Sequence, residues 1–310
     1  MHWPWTTPTP AAPSPAATIS SHASGATSEL KRLSLRTRRL ADAEVAGSYR
    51  SAFRGQGLIF SDLREYQSGD DVRAIHWRAS ARSGKVYVKS YQEERYLSIV
   101  VALDTSSSLL SGTGAGRRAR SIEFALLLSQ LAKIHGDALG LCLFQTGVSS
   151  FISPSRKRIQ QQLVLNALLE ARAAQGKTNL AKSLAELLPL LRRRSVLFVV
   201  TDALTPTPWE RELAQLARRH DVIVTMVEDR FDRELPKVGL IECVDAESGE
   251  RILLDTSSSY LAQTLARKQT ERIEALRALT QRSGAELLQL GENPLQTLLG
   301  FLQRRMRRIR

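Results

Sequence analysis

The sequence predicts an α/β fold in which a doubly wound, mainly parallel sheet carries helices on both faces and is preceded by a small strand-containing segment. From Tyr96 onward, wholly apolar runs of strand length, such as Ile99–Leu103 and Val196–Val200, alternate with stretches of helical period. Those runs lack polar alternation, the pattern of strands buried on both faces. Composition agrees: 43% of the 310 residues are hydrophobic and 24% charged, as in a folded protein with a sizeable core.

Leu97–Leu103 reads as the first strand of the sheet, and Arg117–Ile134 as a helix turning Ile122, Phe124, Ala125, Leu128 and Leu131 inward. Ala138–Phe144 follows as a strand, with Gly147–Ile152 folding back as an antiparallel partner. Helices around Ser155–Arg172 and Leu180–Leu191 lead to the strand Val196–Thr201. Trp209–Arg219 is then helical and Val222–Val227 a strand, after which Gly239–Asp255 is expected as an edge hairpin turning at Ser248-Gly249. A long helix from Tyr260 stops at Gly284, a residue suited to a helix C-terminus. A last strand in Ala285–Gly291 and an amphipathic helix complete the sheet domain, residues 96–310. Residues 29–95 mix strand-like pieces with the turn signals "RGQG" and "SGDD", and residues 1–28, rich in Pro, Ala, Ser and Thr, are expected as a disordered tail.

Cys142 and Cys243 lie in apolar runs without metal-ligand spacing and read as buried free thiols of a reducing compartment. No apolar run approaches the ~20 residues that span a bilayer, and the N-terminus lacks the basic-then-apolar order of a secretory leader. The expected location is therefore cytoplasmic. A net charge of +13 favours an acidic partner. Arginines gather in "KRLSLRTRRL" and "QRRMRRIR", either as solvated helix faces or as contacts for nucleic acid or an anionic membrane surface. No aromatics are interleaved with them as base stacking requires. In the last helix Leu295, Leu298, Leu299, Leu302, Met306 and Ile309 oppose the arginines, which suits an anionic interface or packing on the sheet.

Ligands of an open parallel sheet collect beyond the carboxyl ends of its strands. There the sequence places "DTSSS", with Asp104, Ser106 and Ser108 after the first strand, and Asp202 after Val196–Thr201; Thr178 lies in the loop leading to the helix before that strand. All are hard oxygen donors, and two carboxylates with three hydroxyls fit Mg2+ or Mn2+ with a position left open. The D-x-S-x-S, then T-N, then T-D order, with its helices, strands and hairpin, resembles the metal-ion-dependent adhesion site of von Willebrand factor A domains. That resemblance implies Asp104, Ser106, Ser108, Thr178 and Asp202 as metal ligands, with a partner's carboxylate completing the shell.

A second "DTSSS", Asp255–Ser259, has no accompanying threonine loop or strand-end aspartate and is assigned to helix capping. "GKT" at Gly176–Thr178 lacks the first glycine of a phosphate loop, that position being Ala171.

Upstream, "DLREYQSGDDVRAIHWRASARSGKVYVKSYQEER" carries Arg64, Tyr66, Gly69, Asp70, Asp71, Arg73, Ile75, Trp77, Ser80, Ala81 and Arg82 in a pattern that resembles the bacterial domain of unknown function 58 family. Its alternating acids and arginines are expected to pair as a structural clamp over a buried Trp77, rather than to form a docking or catalytic surface of Asp70, Asp71 and His76. The family resemblance implies a non-catalytic adaptor acting with a MoxR-type AAA+ ATPase or its client; many relatives carry two membrane helices near the N-terminus, where this chain has a polar tail. A metal-assisted hydrolase is the competing class, but the sequence has no GxSxG, HExxH or cysteine–histidine arrangement, and His135 and His220 fall near helix ends, suited to solvated or capping roles.

Overall fold

The computed structural model describes residues 48–49, 52–53, 58–93, 96–110, 116–171, 178–205, 207–229, 232, 237–244 and 251–309. The expected tail, the first arginine cluster, "RGQG", Gly176, Lys177 and the Ser248-Gly249 turn lie outside them, as does the side chain of Cys243.

Strands β3 (Ser98–Asp104), β4 (Ala138–Phe144), β5 (Val148–Ser155), β6 (Val196–Thr201), β7 (Asp221–Val227) and β10 (Glu286–Leu290) form one sheet in the order β10-β7-β6-β3-β4-β5. Every pairing is parallel except β4 with β5. The antiparallel edge is held close: a β-carbon at Gly140 would meet the Ile152 carbonyl oxygen at 2.9 Å and the Pro154 ring at 3.0 Å. Pro154 costs nothing there, because an edge strand has amides with no ladder partner.

Alternation along β3 divides the core. Ile99, Val101 and Leu103 face one side, which is covered by helices α3 (Arg117–His135), α4 (Gln160–Glu170) and α8 (Pro294–Ile309) together with Tyr49 and Phe53. Val100 and Ala102 face the other, covered by α5 (Leu180–Leu187), α6 (Glu210–Ala217) and α7 (Ser259–Arg282). The fold class is thus the doubly wound α/β arrangement expected. A short helix α2 (Ser107–Leu110) follows β3. Gly284, at φ +75°, ends the α7 region as expected.

Several expectations are corrected in detail. The helix expected from Ser155 begins only at Gln160, because β5 continues through Ser155. The hairpin of β8 (Leu240–Val244) and β9 (Arg251–Asp255) is a separate two-stranded sheet rather than an edge of the main one, since β10 takes the place beside β7. The apolar face of α8 is spent on the core: Leu298 and Leu302 are fully buried, and Arg305 pairs with Asp221 and Glu286 at the starts of two strands. That face is therefore not offered to a membrane or nucleic acid.

The N-terminal segment is an antiparallel pair, β1 (Leu58–Glu65) with β2 (Tyr87–Glu93), joined through helix α1 (Trp77–Ser83). Of the clamp expected, one pair forms: Arg64 grips Asp70 bidentately at 2.7 and 2.5 Å, while Asp71 Oδ1 accepts the Arg73 backbone N–H at 2.9 Å instead of a guanidinium. Trp77 is not beneath it; 69% of its surface is exposed. As the first residue of α1, capped by His76 Nδ1 accepting the Ala79 N–H at 3.1 Å, it projects outward, while Ile75 on the preceding turn is the residue buried.

Candidate metal site

The strand order reverses beside β3, where β4 and β6 flank it on opposite sides, and this is where an open α/β sheet leaves a crevice at its carboxyl edge. Asp104 is the last residue of β3, and Asp202 follows β6 directly. Both are fully buried, as is Ser106, and Thr178 is 2% exposed.

The five residues expected as ligands come together. Asp104 Oδ1 accepts the Ser106 N–H at 2.9 Å, an Asx turn that swings the serines over the carboxylate. Ser106 Oγ and Ser108 Oγ share a hydrogen bond of 3.1 Å. Thr178 Oγ1 approaches both Asp104 oxygens, at 3.4 and 3.5 Å, the outer limit of a hydrogen bond. Asp202 Oδ1 accepts the Leu204 N–H at 3.0 Å, with the intervening Ala203 forced to φ +57°. Such a left-handed turn is unfavourable for a residue with a β-carbon and keeps the aspartate aimed back at the sheet edge.

Asp202 Oδ2 is buried and has no hydrogen-bond partner among the described residues. Burial first, and the nearby Asp202 charge second, push the Asp104 carboxyl up to about 7, against the opposing pull of the Ser106 amide and Thr201. Two carboxylates buried within reach of one another, with one oxygen unsatisfied, are a costly arrangement unless positive charge is available. A hard divalent ion fits this donor set. Among the described residues no three His, Cys, Asp or Glu side chains group as metal ligands, so the hydroxyls would have to supply the rest.

Sequence reasoning missed Thr201 and two arginines. Thr201 Oγ1 donates to Asp104 Oδ2 at 2.8 Å while accepting the Ala203 N–H at 3.0 Å. Its only signal was a hydroxyl closing an otherwise apolar strand. Arg272 of α7 donates to the Asp202 carbonyl at 2.9 Å, and Arg117, at the start of α3, donates to the Ser108 carbonyl at 3.2 Å and pairs with Asp232. Nothing in their local sequence separates them from surface arginines. They brace the backbone of both loops, and both guanidinium charges interact with the Asp202 carboxylate.

The histidines at helix ends lie elsewhere. His220 is 5% exposed and accepts the Ser195 N–H at 3.3 Å at the start of β6, the opposite end of the sheet; its burial corrects the expected solvated or capping role and lowers its pKa. His135, ending α3 at that same end, stacks on Tyr49 with 4.9 Å between ring centroids. Ser258, in the second DTSSS, caps α7 by accepting the Leu261 N–H, and Asp255 accepts from Ser257, so this copy is local. Cys142 is buried within β4, which pushes its thiol up to about 12.

Sheet order and antiparallel edge together define a doubly wound, mainly parallel α/β fold preceded by a small antiparallel β segment. The chain belongs to the family described as protein of unknown function DUF58, which matches residues 62–275. Uncharacterized proteins of Mycobacterium tuberculosis and Mycobacterium bovis are each 32% identical to it over 224 residues, 71% of this chain and 70% of theirs. Among solved structures, an aerotolerance-related membrane protein from Bacteroides fragilis is 12% identical with a TM-score of 0.41, over 68% of this chain and 99% of that one. The SpRpn10 VWA domain is 15% identical with a TM-score of 0.36, over 66% of this chain and 95% of that one. No helix among the described residues is long and apolar enough to cross a membrane.

Proposed function

We propose that this chain is a non-catalytic, divalent-cation-dependent protein-binding adaptor, with Asp104, Ser106, Ser108, Thr178 and Asp202 as the ligands of Mg2+ or Mn2+. The observation that carries this reading is Asp202 Oδ2, buried and unpartnered among the described residues beside a second buried carboxylate. When bound, the cation supplies a Lewis-acidic point at which a partner's carboxylate can dock. The chain's own residues preset that point: Thr201 and the Ser106 amide fix Asp104, and Arg272 and Arg117 hold the two loops. A non-catalytic role is favoured because, among the described residues, His135 and His220 sit at the far end of the sheet and Cys142 is sealed inside it, leaving no histidine base or thiol nucleophile beside the carboxylates. A MoxR-type AAA+ ATPase or its client is the partner we propose.

Calorimetric titration of Mg2+ and Mn2+ into the full chain tests this. Saturable binding is expected for the wild type and for Asp255→Ala, and loss of it for Asp104→Ala with an unchanged circular dichroism spectrum. Absence of binding in the wild type, or equal binding in all three proteins, would overturn the metal role. Capture of the ATPase that EDTA does not diminish would overturn the ion-mediated partner contact.

A further inference from the structure

We infer that the end of the sheet opposite the carboxylate site is a surface that docks on an anionic lipid bilayer. A parallel sheet gathers its helix C-termini and strand starts at one end. Here those junctions carry Lys133 in the last turn of α3, Arg156, Lys157 and Arg158 after β5, and Arg192 and Arg193 before β6, all exposed. Among the described residues none of the six pairs with a carboxylate. The acid lining this tract, Asp137, is 8% exposed and already occupied by the Tyr49 hydroxyl at 2.8 Å and the Leu97 N–H at 2.7 Å, and Asp221 and Glu286, at the starts of β7 and β10, are paired with Arg305.

The tract is continuous and partly preset. One concavity of about 620 Å3 is lined by Tyr96, Arg156, Leu190, Arg192 and Arg193, and another of about 710 Å3 by Lys133, Arg156, Lys157 and Arg158, so Arg156 joins them. Arg156 donates to the Gly136 carbonyl at 2.7 Å and lies 4.6 Å over the Tyr96 ring, whose hydroxyl accepts from Arg193 at 3.0 Å. Side chains held this way lose little further freedom on meeting phosphate.

Aliphatic residues decide between lipid and nucleic acid. Ile134, Ile159 and Leu190 are 51%, 59% and 37% exposed, each within two residues of one of these cations. Protruding aliphatics beside cations suit the headgroup boundary of a bilayer, where both kinds of contact are favourable. A nucleic-acid backbone would use only the cations, and the nearby aromatic, Tyr96, is only partly exposed and already engaged. Because β3 spans seven residues, about 23 Å at ~3.3 Å each, the site at Asp104 would face away from the docked bilayer.

The test is sedimentation of the full chain with vesicles of phosphatidylcholine, with and without phosphatidylglycerol. Binding is expected only to the anionic vesicles. Lys157→Gln, Arg158→Gln and Arg192→Gln combined should weaken it on the order of 100-fold, about 5-fold for each charge. Ile134→Ser with Ile159→Ser should weaken it at unchanged charge. Equal binding to neutral vesicles, full affinity in the charge variant or in the serine variant, or binding of duplex DNA but not vesicles would each overturn the proposal.

Discussion

Replacing Asp202 with Asn should make the metal-free protein more stable, although it removes a fully buried native side chain. Burial and the Asp202 charge together push the Asp104 carboxyl from 3.8 up to about 7. At ~1.4 kcal/mol per pH unit that displacement corresponds to about 4 kcal/mol, and the Asp202 charge is second to burial among its causes. Asn keeps an oxygen for the Leu204 N–H and turns the unpartnered Oδ2 position into an uncharged donor. The gain follows from pH in a definite direction. A carboxyl raised in the folded state costs nothing below its unfolded value of 3.8, and its cost grows as pH rises through about 7. Thermal unfolding in EDTA should therefore place Asp202→Asn a few degrees above wild type at neutral pH, with the advantage shrinking toward pH 4. Added Mg2+ should raise the wild type and leave the variant unmoved. A variant that unfolds below wild type in EDTA at neutral pH, or whose advantage widens on acidification, would refute the carboxylate-repulsion reasoning.

Other perturbations separate the local roles. Thr201→Val removes the donor to Asp104 Oδ2 at constant shape and should cost about 1–3 kcal/mol in urea unfolding. Leu302→Ala, on the buried face of α8, should cost about 2–5 kcal/mol, whereas Trp77→Ala, with 69% of the tryptophan already exposed, should stay within about 0.5 kcal/mol by the same measurement. Gly140→Ala drives a β-carbon against Ile152 and Pro154 and should cost about 1–3 kcal/mol, with hydrogen exchange accelerated first in β5.

Much of the site was legible because its residues follow strand ends. Val196–Thr201 and Ala138–Phe144 were readable to the residue, since buried parallel strands are unbroken apolar runs whose polar successors mark the sheet edge. Asp104 and Asp202 stand at two such edges. The two copies of DTSSS show the limit of a local motif. Both form the same Asx turn, at Asp104–Ser106 and Asp255–Ser257, but only the first has Thr178 and Thr201 around it. Trp77 was misplaced for a related reason. An aromatic among paired charges suggests a core, yet the turn before α1 buries Ile75 and the start of α1 leaves Trp77 exposed.

The order and type of the sheet's elements follow from local sequence, because hydrophobic period and the polar residue ending each run are properties that survive without tertiary contacts. Local sequence also placed oxygen donors at two strand ends. Folding is what brings Thr201 and the Ser106 amide onto one carboxylate while one oxygen of the other stays unpartnered among the described residues. It likewise decided that Arg272, 70 residues from Asp202, braces its carbonyl. The same folding gathered cations from three separate segments at the opposite end of the sheet. Those facts are distances between segments far apart in the chain, set by how strands stack and helices cross them, and no local pattern encodes a distance of that kind.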